Sequence, residues 1–470
     1  MADQNKQKRY FFLGIGGIGM SALARFYNAK GAEVAGYDRT RSELCKQLES
    51  EGIAIHYEDN VDMIPAQFKK SDETLIVFTP AIPAENAEFR YFKDNGFTML
   101  KRAQLLGNIT REHKGLCVAG THGKTTTCNM IANILQQTSK GCNAFLGGIS
   151  LNFGTNLLLS DKTDRVVIEA DEYDRSFLNL EPQIAVITSA DADHLDIYGD
   201  VKSVRESFAK FTSLIKEGGA LLLKRTVKVK PQVKKGVKVY SYSGRPVMGG
   251  KRPDFYATFI RKMNGTIRFN MVTPYGVIKD IDLGVPILIN VEDAVAAIAV
   301  ALLCGARHEE IRLGMSTFRG TKRRFETHYH NVKDGRETRY IDDYAHHPAE
   351  IKATLDSVRF LYPDLKICAV FQPHLYTRTR DLAADFAEAL SIVDDVVLLD
   401  IYPAREKPIP GVTLSIILDK VTSKKKVAVS KTELIGELEK HDFDILLTLG
   451  AGDIDLEIPK IVEFMHKRND

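Results

Sequence analysis

The stretch "GTHGKTTT", residues 120–127, directly follows an apolar run from Gly115 to Ala119. It gives the spacing GxxGKT after a predicted strand, which is typical of a phosphate-binding loop. In such a loop the lysine, here Lys124, reaches the β- and γ-phosphates, and the next hydroxyl, here that of Thr125, reaches Mg²⁺. The earlier glycine of the standard loop is missing, since position 118 is Val. The stretch predicts a nucleotide-binding α/β domain with ATP as its natural occupant.

Apolar runs of strand length alternate with longer helical patterns on both sides of this loop. Such alternation predicts βα units and parallel sheets. The 470 residues also exceed what one hydrophobic core usually serves. We therefore predict three α/β domains: a Rossmann-like domain over 1–108, a central P-loop ATPase-type mixed-sheet domain over 109–320, and a Rossmann-like domain over 321–470.

The composition argues against several classes of protein. Lys and Arg total 64 against 61 for Asp and Glu, a balance that does not favour a nucleic-acid partner. Lysine runs that begin at Lys224 and Ser423 are either phosphate-contacting patches or, the favoured interpretation, solvated faces. The six cysteines form no CxxC pair, which indicates reduced thiols in a cytoplasmic protein. No apolar run reaches the roughly 20 residues of a membrane span, so no membrane insertion is expected.

A glycine-rich turn opens the first block between an apolar strand and a helix expected from about Met20 to Lys30. Its glycines are Gly14, Gly16, Gly17 and Gly19. Without side chains there, a diphosphate can approach backbone N–H groups at the positive end of the helix. Asp38 ends the next strand, where a carboxylate can accept from ribose hydroxyls. The pattern indicates a diphosphate without specifying the nucleotide, and such a turn also occurs merely for helix packing.

Acidic residues follow the predicted strand that begins at Arg165. Glu169, Asp171 and Glu172 stand about where a P-loop fold places its metal carboxylate, and Glu169 is the first choice. The next strand ends in "DADHLD", residues 191–196, which brings His194 and its neighbour Asp193 to the same edge. His194 is either a ligand or a satisfied structural residue. An oxygen-rich set of this kind suits Mg²⁺ better than zinc.

The third block holds unusual polar strings at predicted strand ends and turns: "RRFE" at 323–326, "IDDYAHHPAE" at 341–350 and "FQPHLYTRTRD" at 371–381. Their arginines offer planar forks for carboxylate or phosphate: Arg323, Arg324, Arg378 and Arg380. A chain with a diphosphate turn, an ATP loop and such arginines has the parts to join two molecules at the expense of ATP. Phosphoryl transfer to a carboxylate gives an acyl phosphate, which a neutral amine can attack.

Seven motifs, in one order and across nearly the whole length, closely resemble those of the Mur ligases of peptidoglycan synthesis. They are "GIGGIGMSALA", "GTHGKTTT", "EADEYDRSFL", "DADHLDIYG", "FRGTKRRFE", "DDYAHHPAE" and "FQPHLYTRTRDL". The resemblance implies that L-alanine is joined to the lactyl carboxylate of UDP-N-acetylmuramate through an acyl phosphate. The resemblance implies an ATP- and Mg²⁺-dependent reaction in the cytoplasm, carried out by a monomer or homodimer.

The resemblance also implies a role for individual residues. The UDP-sugar would lie at Gly14, Gly16, Gly17, Gly19 and Asp38. ATP would contact Gly120, Thr121, Gly123, Lys124, Thr125, Thr126, Asn290 and Tyr344. Mg²⁺ would be held by Thr125, Glu169 and His194. The catalytic set would be Lys124, His122, Arg324, Asp343, His346, Arg378 and Arg380, with His122 facing the lactyl carboxylate.

Some positions depart from the family's usual pattern. "INVED" at 289–293 has Ile289 and Asp293 where a histidine and an asparagine are common, and Leu375 stands where an arginine would help to bind the amino acid's carboxylate. "GAGDID" at 450–455 replaces "GAGNIG". Three rival interpretations remain: the recycling ligase that adds an intact tripeptide, a P-loop ATPase of another class, and a dinucleotide-dependent dehydrogenase.

Overall fold

The computed structural model describes residues 9–191, 195–246, 251–263, 266–404 and 406–469. The chain forms two compact units. Unit 1 comprises residues 1–258, 270–281 and 292–318, and unit 2 comprises residues 259–269, 282–291 and 319–470. Among the described residues, no helix has the length and apolar character needed to cross a membrane.

The amino-terminal sheet has five strands: β1 (Arg9–Leu13), β2 (Glu33–Tyr37), β3 (Ala54–His56), β4 (Thr74–Phe78) and β5 (Thr98–Lys101). Their order is β3-β2-β1-β4-β5, and every pair is parallel. The connecting helices are α1 (Ile18–Ala29), α2 (Glu43–Ser50), α3 (Ala87–Asp94) and α4 (Arg102–Glu112). Helix α1 begins two residues before the predicted Met20. Residue 108 lies inside α4, whereas the next strand begins at Lys114.

The central sheet has ten strands: β6 (Lys114–Ala119), β7 (Asn143–Phe145), β8 (Leu157–Leu158), β9 (Arg165–Ala170), β10 (Pro182–Ile187), β11 (Ala220–Lys224), β12 (Lys238–Ser243), β13 (Phe255–Met263), β14 (Thr266–Thr273) and β15 (Gly276–Leu283). Their order is β15-β14-β13-β12-β11-β10-β6-β9-β7-β8. The helices are α5 (Lys124–Gln136), α6 (Leu195–Tyr198), α7 (Val201–Ser213), α8 (Asn290–Leu303) and α9 (His308–Ser316).

The carboxyl-terminal sheet has six strands: β16 (Glu326–Lys333), β17 (Arg336–Asp343), β18 (Ile367–Phe371), β19 (Asp395–Leu399), β20 (Lys425–Val429) and β21 (Ile445–Leu449). Their order is β16-β17-β21-β18-β19-β20, and only β16 is antiparallel to its neighbour. The helices are α10 (Pro348–Leu361), α11 (Tyr376–Asp381), α12 (Ala383–Leu390), α13 (Ser415–Leu418), α14 (Leu434–Leu438) and α15 (Ile458–Asn469). The predicted α/β class with three sheet domains is confirmed.

Strand β6 positions the candidate site of unit 1. It pairs in parallel with β9 on one side and β10 on the other, and all of its residues except Lys114 are buried. A continuous apolar run of this kind is what a strand covered on both faces requires. Because the three strands run in the same direction, the loops at their carboxyl ends lie side by side. Those loops carry the "GTHGKTTT" stretch, the acids after β9 and the hydroxyls after β10.

Candidate active site

The phosphate loop connects β6 to α5 through two glycines with left-handed backbone. Gly120 has φ +147° and Gly123, the N-cap of α5, has φ +81°. A Cβ atom on Gly120 would lie 2.0 Å from Oγ1 of Thr188, so a larger residue does not fit. The backbone N–H of His122 donates to Oγ of Ser189 at 2.8 Å. The residues after β10 thus hold the loop in a fixed shape, with the N-terminus of α5 at its end.

Lys124 is paired inside this loop with Glu172. Its Nζ lies 2.9 Å and 2.8 Å from the two carboxylate oxygens of Glu172 and donates to the carbonyl of Gly120 at 2.5 Å. Burial alone lowers the pKa of Lys124, but the facing Glu172 and Glu169 carboxylates leave it raised. Burial also leaves the pKa of Glu172 raised although Lys124 opposes that shift. The ammonium group is therefore charged and held in the loop where a phosphate is predicted.

Thr125 and Glu169 form the candidate Mg²⁺ position. Oγ1 of Thr125 donates to Oε2 of Glu169 at 2.9 Å. A Cβ on Gly147 would lie 1.8 Å from the same carboxylate oxygen, so the glycine makes room for the Glu169 side chain. A hydroxyl and a carboxylate side by side fit Mg²⁺, which is usually bound by one or two protein oxygens plus phosphates and waters. The predicted partners Asp193 and His194 lie outside the described residues.

Arg102 is a residue that the sequence alone did not single out. It begins α4, and its Nη2 donates to Oδ2 of Asp171 at 3.2 Å. A Cβ on Gly19 would lie 2.6 Å from Nη1 of Arg102, so the guanidinium sits against the first turn of α1. This places a cation at the helix end where a diphosphate is predicted. The arginine directly follows strand β5, and no motif in the sequence marks it.

The glycine turn differs in detail from the sequence-based expectation. The backbone N–H of Gly16 donates to Oδ2 of Asp38 at 2.8 Å, and the N–H of Thr40 donates to Oδ1 at 3.0 Å. Gly14 has φ +84°, and Gly17 caps α1 without a side-chain hydrogen bond. Asp38 therefore orders the turn itself, and the N–H of Gly16 is already in use. The first-turn amides of α1 remain as the donors for a diphosphate.

Unit 2 brings together polar residues from separate strand ends. Asp343, the last residue of β17, accepts from Oγ1 of Thr354 at 2.9 Å and from the N–H of Ala345 at 3.0 Å. Complete burial raises the pKa of Asp343 to about 6, although the nearby Arg324 guanidinium opposes the rise. Arg324 also lies over the ring of Tyr344, 5.3 Å from its centroid. Three of the predicted residues thus lie together, with Asp343 buried and with Arg324 and Tyr344 partly exposed.

Two histidines and an arginine lie next to this assembly. The rings of His346 and His374 are 6.1 Å apart, and the ring of His374 stacks on Tyr402 at 5.6 Å. Burial lowers the pKa of both imidazoles, that of His374 to about 4, and the charge of Arg378 acts in the same direction. Within the described residues, Nδ1 of His374 and Nη1 of Arg378 are buried without a hydrogen-bond partner. We call Arg324, Tyr344, His346, His374 and Arg378 the arginine–histidine cluster.

Other predicted residues of unit 2 have different surroundings. Nε of Arg380 donates to Asp381 at 2.7 Å, and both side chains are about half exposed. Asn290 is buried, and its Nδ2 donates to the carbonyl of Val285 at 3.4 Å. Leu375 has φ +71°, a conformation rare for a branched side chain. The catalytic role of Arg380 and the adenine contact of Asn290 stay predictions.

Asp453, the acidic residue that replaces asparagine in "GAGDID", is held by two nearby side chains. Oδ1 of Asp453 accepts from Nε2 of Gln372 at 2.8 Å, and Oδ2 is paired with Nζ of Lys431. These contacts lower the pKa of Asp453 against the raising effect of burial. In unit 1, Asp293 lies beneath the phosphate loop, since a Cβ on Gly123 would be 2.5 Å from its Oδ1. Asp453 thus contacts Gln372 of the string at 371–381, and Asp293 lies next to Gly123 of the phosphate loop.

The chain matches three domain families in succession: "Mur ligase family, catalytic domain" over residues 9–114, "Mur ligase middle domain" over 118–301, and "Mur ligase, glutamate ligase domain" over 323–452. It belongs to the Mur ligase family, and its sequence-based resemblance to that family is confirmed. The family's members are ATP-dependent ligases, so the chain is assigned to that class of enzyme.

Individual members of the family are similar to this chain over nearly its whole length. A UDP-N-acetylmuramate--L-alanine ligase of Phocaeicola vulgatus is 52% identical over 467 residues, which cover 99% of this chain and 100% of the relative. One of the same name from Porphyromonas gingivalis is 50% identical, covering 97% and 99%. The structure of a UDP-N-acetylmuramate-alanine ligase from Thermotoga maritima has a TM-score of 0.79 at 26% identity, covering 98% and 99%. A murein peptide ligase from Psychrobacter arcticus has a TM-score of 0.67 at 23% identity, covering 97% and 98%, a likeness of fold alone.

Proposed function

We propose that the chain joins L-alanine to the lactyl carboxylate of UDP-N-acetylmuramate and releases ADP and phosphate, as a step of peptidoglycan precursor synthesis in the cytoplasm. The observation that carries this proposal is a sequence identity of 50–52% to relatives that are named for this reaction. The similarity extends over nearly the full length of both chains. The phosphate loop around Lys124 supports the ATP half of the reaction. The tripeptide-adding alternative is not favoured, since these relatives carry the alanine-ligase name.

In the first step an oxygen of the lactyl carboxylate attacks the γ-phosphorus of ATP, and ADP leaves. The product is an acyl phosphate. Lys124, fixed in the loop, offsets negative charge on the transferring phosphoryl group. Bound Mg²⁺ would supply further positive charge, with Thr125, Glu169 and His194 as its proposed protein ligands. His122, one residue from the second loop glycine, is the proposed contact for the lactyl carboxylate.

In the second step the neutral amine of L-alanine attacks the acyl carbon, and phosphate leaves. We assign the arginine–histidine cluster, with Asp343 beside it, to this half of the reaction. Arg378 supplies a fork for a carboxylate or phosphate, and its buried Nη1 has a free donor within the described residues. The lowered pKa of His346 keeps this imidazole neutral near pH 7, the state in which it can accept a proton.

Arg102 extends the proposed UDP-sugar site. Its guanidinium lies against Gly19 and is oriented by Asp171. We propose that it contacts the diphosphate together with the first-turn amides of α1. A cation and a helix N-terminus directed at one group is the usual arrangement for binding a phosphate.

The test is a panel of amino acids and the cell-wall tripeptide, each offered with ATP, Mg²⁺ and UDP-N-acetylmuramate while phosphate release is measured. We expect release with L-alanine and little with the tripeptide. Hydroxylamine added without alanine should capture the activated acid as a hydroxamate. Release with ATP alone would favour an ATPase of another class, and preference for the tripeptide would favour the recycling ligase.

A further inference from the structure

The connection between β11 and β12 is an unusual crossover. The two strands are parallel neighbours, and such pairs are ordinarily joined by a helix. Here residues 225–237 contain no helix. They alternate instead, with Val227, Val229 and Val233 directed to the core and Lys228, Lys230 and Lys234 exposed. This period of two is that of an extended chain, although the segment pairs with no strand among the described residues.

The segment is fixed to the domain rather than free. Val229 is 7% exposed, and Val227, Val233 and Val237 pack against the same core. The N–H of Gln232 donates to Oγ1 of Thr212 on α7 at 2.7 Å. Backbone bonds from Arg225 to Tyr242 and from Lys238 to Gly219 close its two ends. The lysine side chains therefore project from a backbone of defined shape.

The sequence around this segment carries an excess of positive charge. Residues 201–240 contain eleven lysines and arginines and two glutamates, a net charge of +9. The whole chain carries +3, so the rest of the sequence carries −6. Six of the cations are exposed and make no ion pair within the described residues: Arg225, Lys228, Lys230, Lys234, Lys235 and Lys238. We call these six the basic face. Exposed like charges this close repel one another, and a polyanion would relieve that repulsion.

An aromatic side chain adjoins the end of the basic face. Tyr240 follows Lys238 by two residues on β12, so both lie on the same face of the strand. The hydroxyl of Tyr240 is 3.5 Å from that of Tyr275, which is 62% exposed. Tyrosine beside lysines is the composition of surfaces that contact the headgroup region of a bilayer.

We propose that the basic face docks the enzyme on a membrane surface of anionic phospholipids. Five of its six cations are lysines, whose point charges suit mobile phosphate headgroups. Sequence-specific nucleic-acid recognition would need forks such as arginine at base edges. Non-specific single-strand binding would need several aromatic rings between the cations, whereas the stretch from Arg225 to Lys238 contains no aromatic residue. This docking goes beyond the proposed ligase reaction and does not depend on it.

The test is co-sedimentation of the full chain with vesicles of phosphatidylcholine alone or mixed equally with phosphatidylglycerol. We expect binding to the anionic vesicles only, and its loss at high salt. Each lysine near an anionic surface contributes about fivefold in affinity, so Lys228→Gln, Lys230→Gln and Lys234→Gln together should weaken binding on the order of 100-fold. Tyr275→Ser should weaken it by a smaller factor.

The matched control removes three exposed lysines elsewhere, through Lys93→Gln, Lys162→Gln and Lys420→Gln. It changes the net charge equally and should leave vesicle binding within about twofold, because those lysines lie outside the basic face. Thermal unfolding and ligase activity in solution should match the wild type in both triple variants. Equal binding to both vesicle types, equal loss in both triple variants, or tighter binding to a single-stranded oligonucleotide than to anionic vesicles would overturn the proposal.

Discussion

The phosphate loop of unit 1 and the arginine–histidine cluster of unit 2 are organised in opposite ways. In the loop, the principal polar side chains already have partners, Lys124 with Glu172 and Thr125 with Glu169. In the cluster, His374 and Arg378 each retain a buried polar atom without a partner in the described chain. Buried polar groups are ordinarily hydrogen-bonded, so we propose these two atoms as contacts for a ligand. The charged side chains of the proposed nucleotide loop are thus paired with one another, whereas we propose that a ligand completes the cluster.

The substitution Lys124→Ala tests the proposed role of the phosphate loop and is expected to have the largest effect on activity. We expect turnover to fall by at least about 10³-fold, because a fixed cation at the transferring phosphoryl group is lost. The measurement is phosphate release with ATP, UDP-N-acetylmuramate and L-alanine. Glu172→Gln is the matched control, since its amide oxygen still accepts from Lys124 and should preserve far more activity.

The lysine variant leaves the Glu172 carboxylate buried without its cation. Thermal unfolding of both variants therefore accompanies the assay, and UDP-sugar binding should persist in each. Near-normal turnover of a folded Lys124→Ala protein would remove the assignment of this loop to ATP.

Glu169→Ala is expected to have the next largest effect. Loss of a carboxylate beside Thr125 should lower Mg²⁺-dependent activity by about 10²-fold or more. Binding of the UDP-sugar should be retained, as measured by calorimetry. Glu181→Ala, which removes an acid paired with Arg111, is the control. A metal titration curve identical to that of the wild type would exclude Glu169 as a ligand.

The substitution Arg378→Lys tests the proposed role of the arginine–histidine cluster in the use of L-alanine. We expect kcat/KM for L-alanine to fall about 10- to 100-fold, because a planar fork with a free buried donor becomes a point charge. Arg380→Lys should have a smaller effect, since the Arg380 guanidinium is exposed and already donates to Asp381. Equal losses in the two variants would show that the partner-free Nη1 of Arg378 has no special role.

The difference between the two regions also explains what the sequence could predict. The roles of Lys124 and Thr125 follow from residues within one loop, and strand order places Glu169 beside them. Gly147 and Arg102 were not predictable, because their importance lies in atoms they approach from distant parts of the chain. The pairing of Asp38 with the N–H of Gly16 likewise joins residues 22 positions apart, which spacing alone does not indicate.

In unit 2 the strings containing Tyr344 and Arg378 were recognised as unusual, but their three-dimensional grouping was not derivable from spacing. Strands β17, β18 and β21 are neighbours only through the crossover order of the sheet. The position of His374 within the string at 371–381 does not by itself indicate a role for it. Its burial against Tyr402 and its lowered pKa arise from this non-local packing.

The substitution Arg102→Ala tests whether the guanidinium group of Arg102 contacts the diphosphate of the UDP-sugar. We expect KM for UDP-N-acetylmuramate to rise about tenfold with kcat little changed, the effect of losing one charge-assisted hydrogen bond. Arg111→Ala lies on the same helix α4 and removes an exposed arginine paired with Glu181, so it should leave KM unchanged. A rise in the KM for ATP instead would move Arg102 from the sugar site to the nucleotide site.

The buried carboxyl of Asp343 is expected to give the protein a pH-dependent stability. Burial raises its pKa from the ordinary 3.8 to about 6, so the protonated form is favoured in the folded state. Its stabilising contribution is therefore full below about pH 4 and is lost as the pH rises through about 6, a change of about 2–3 kcal/mol. Urea unfolding of the wild type should show this loss, and Asp343→Asn, which cannot ionise, should lack it.

Asp356→Asn is the control for that measurement, because it removes an exposed carboxylate paired with Lys352 on α10. Its unfolding should keep the pH dependence of the wild type. If Asp343→Asn kept it as well, Asp343 would be an ordinary ionised carboxylate. Burial would then not hold this carboxyl in its protonated form, and the contrast between the two regions would rest on His374 and Arg378 alone.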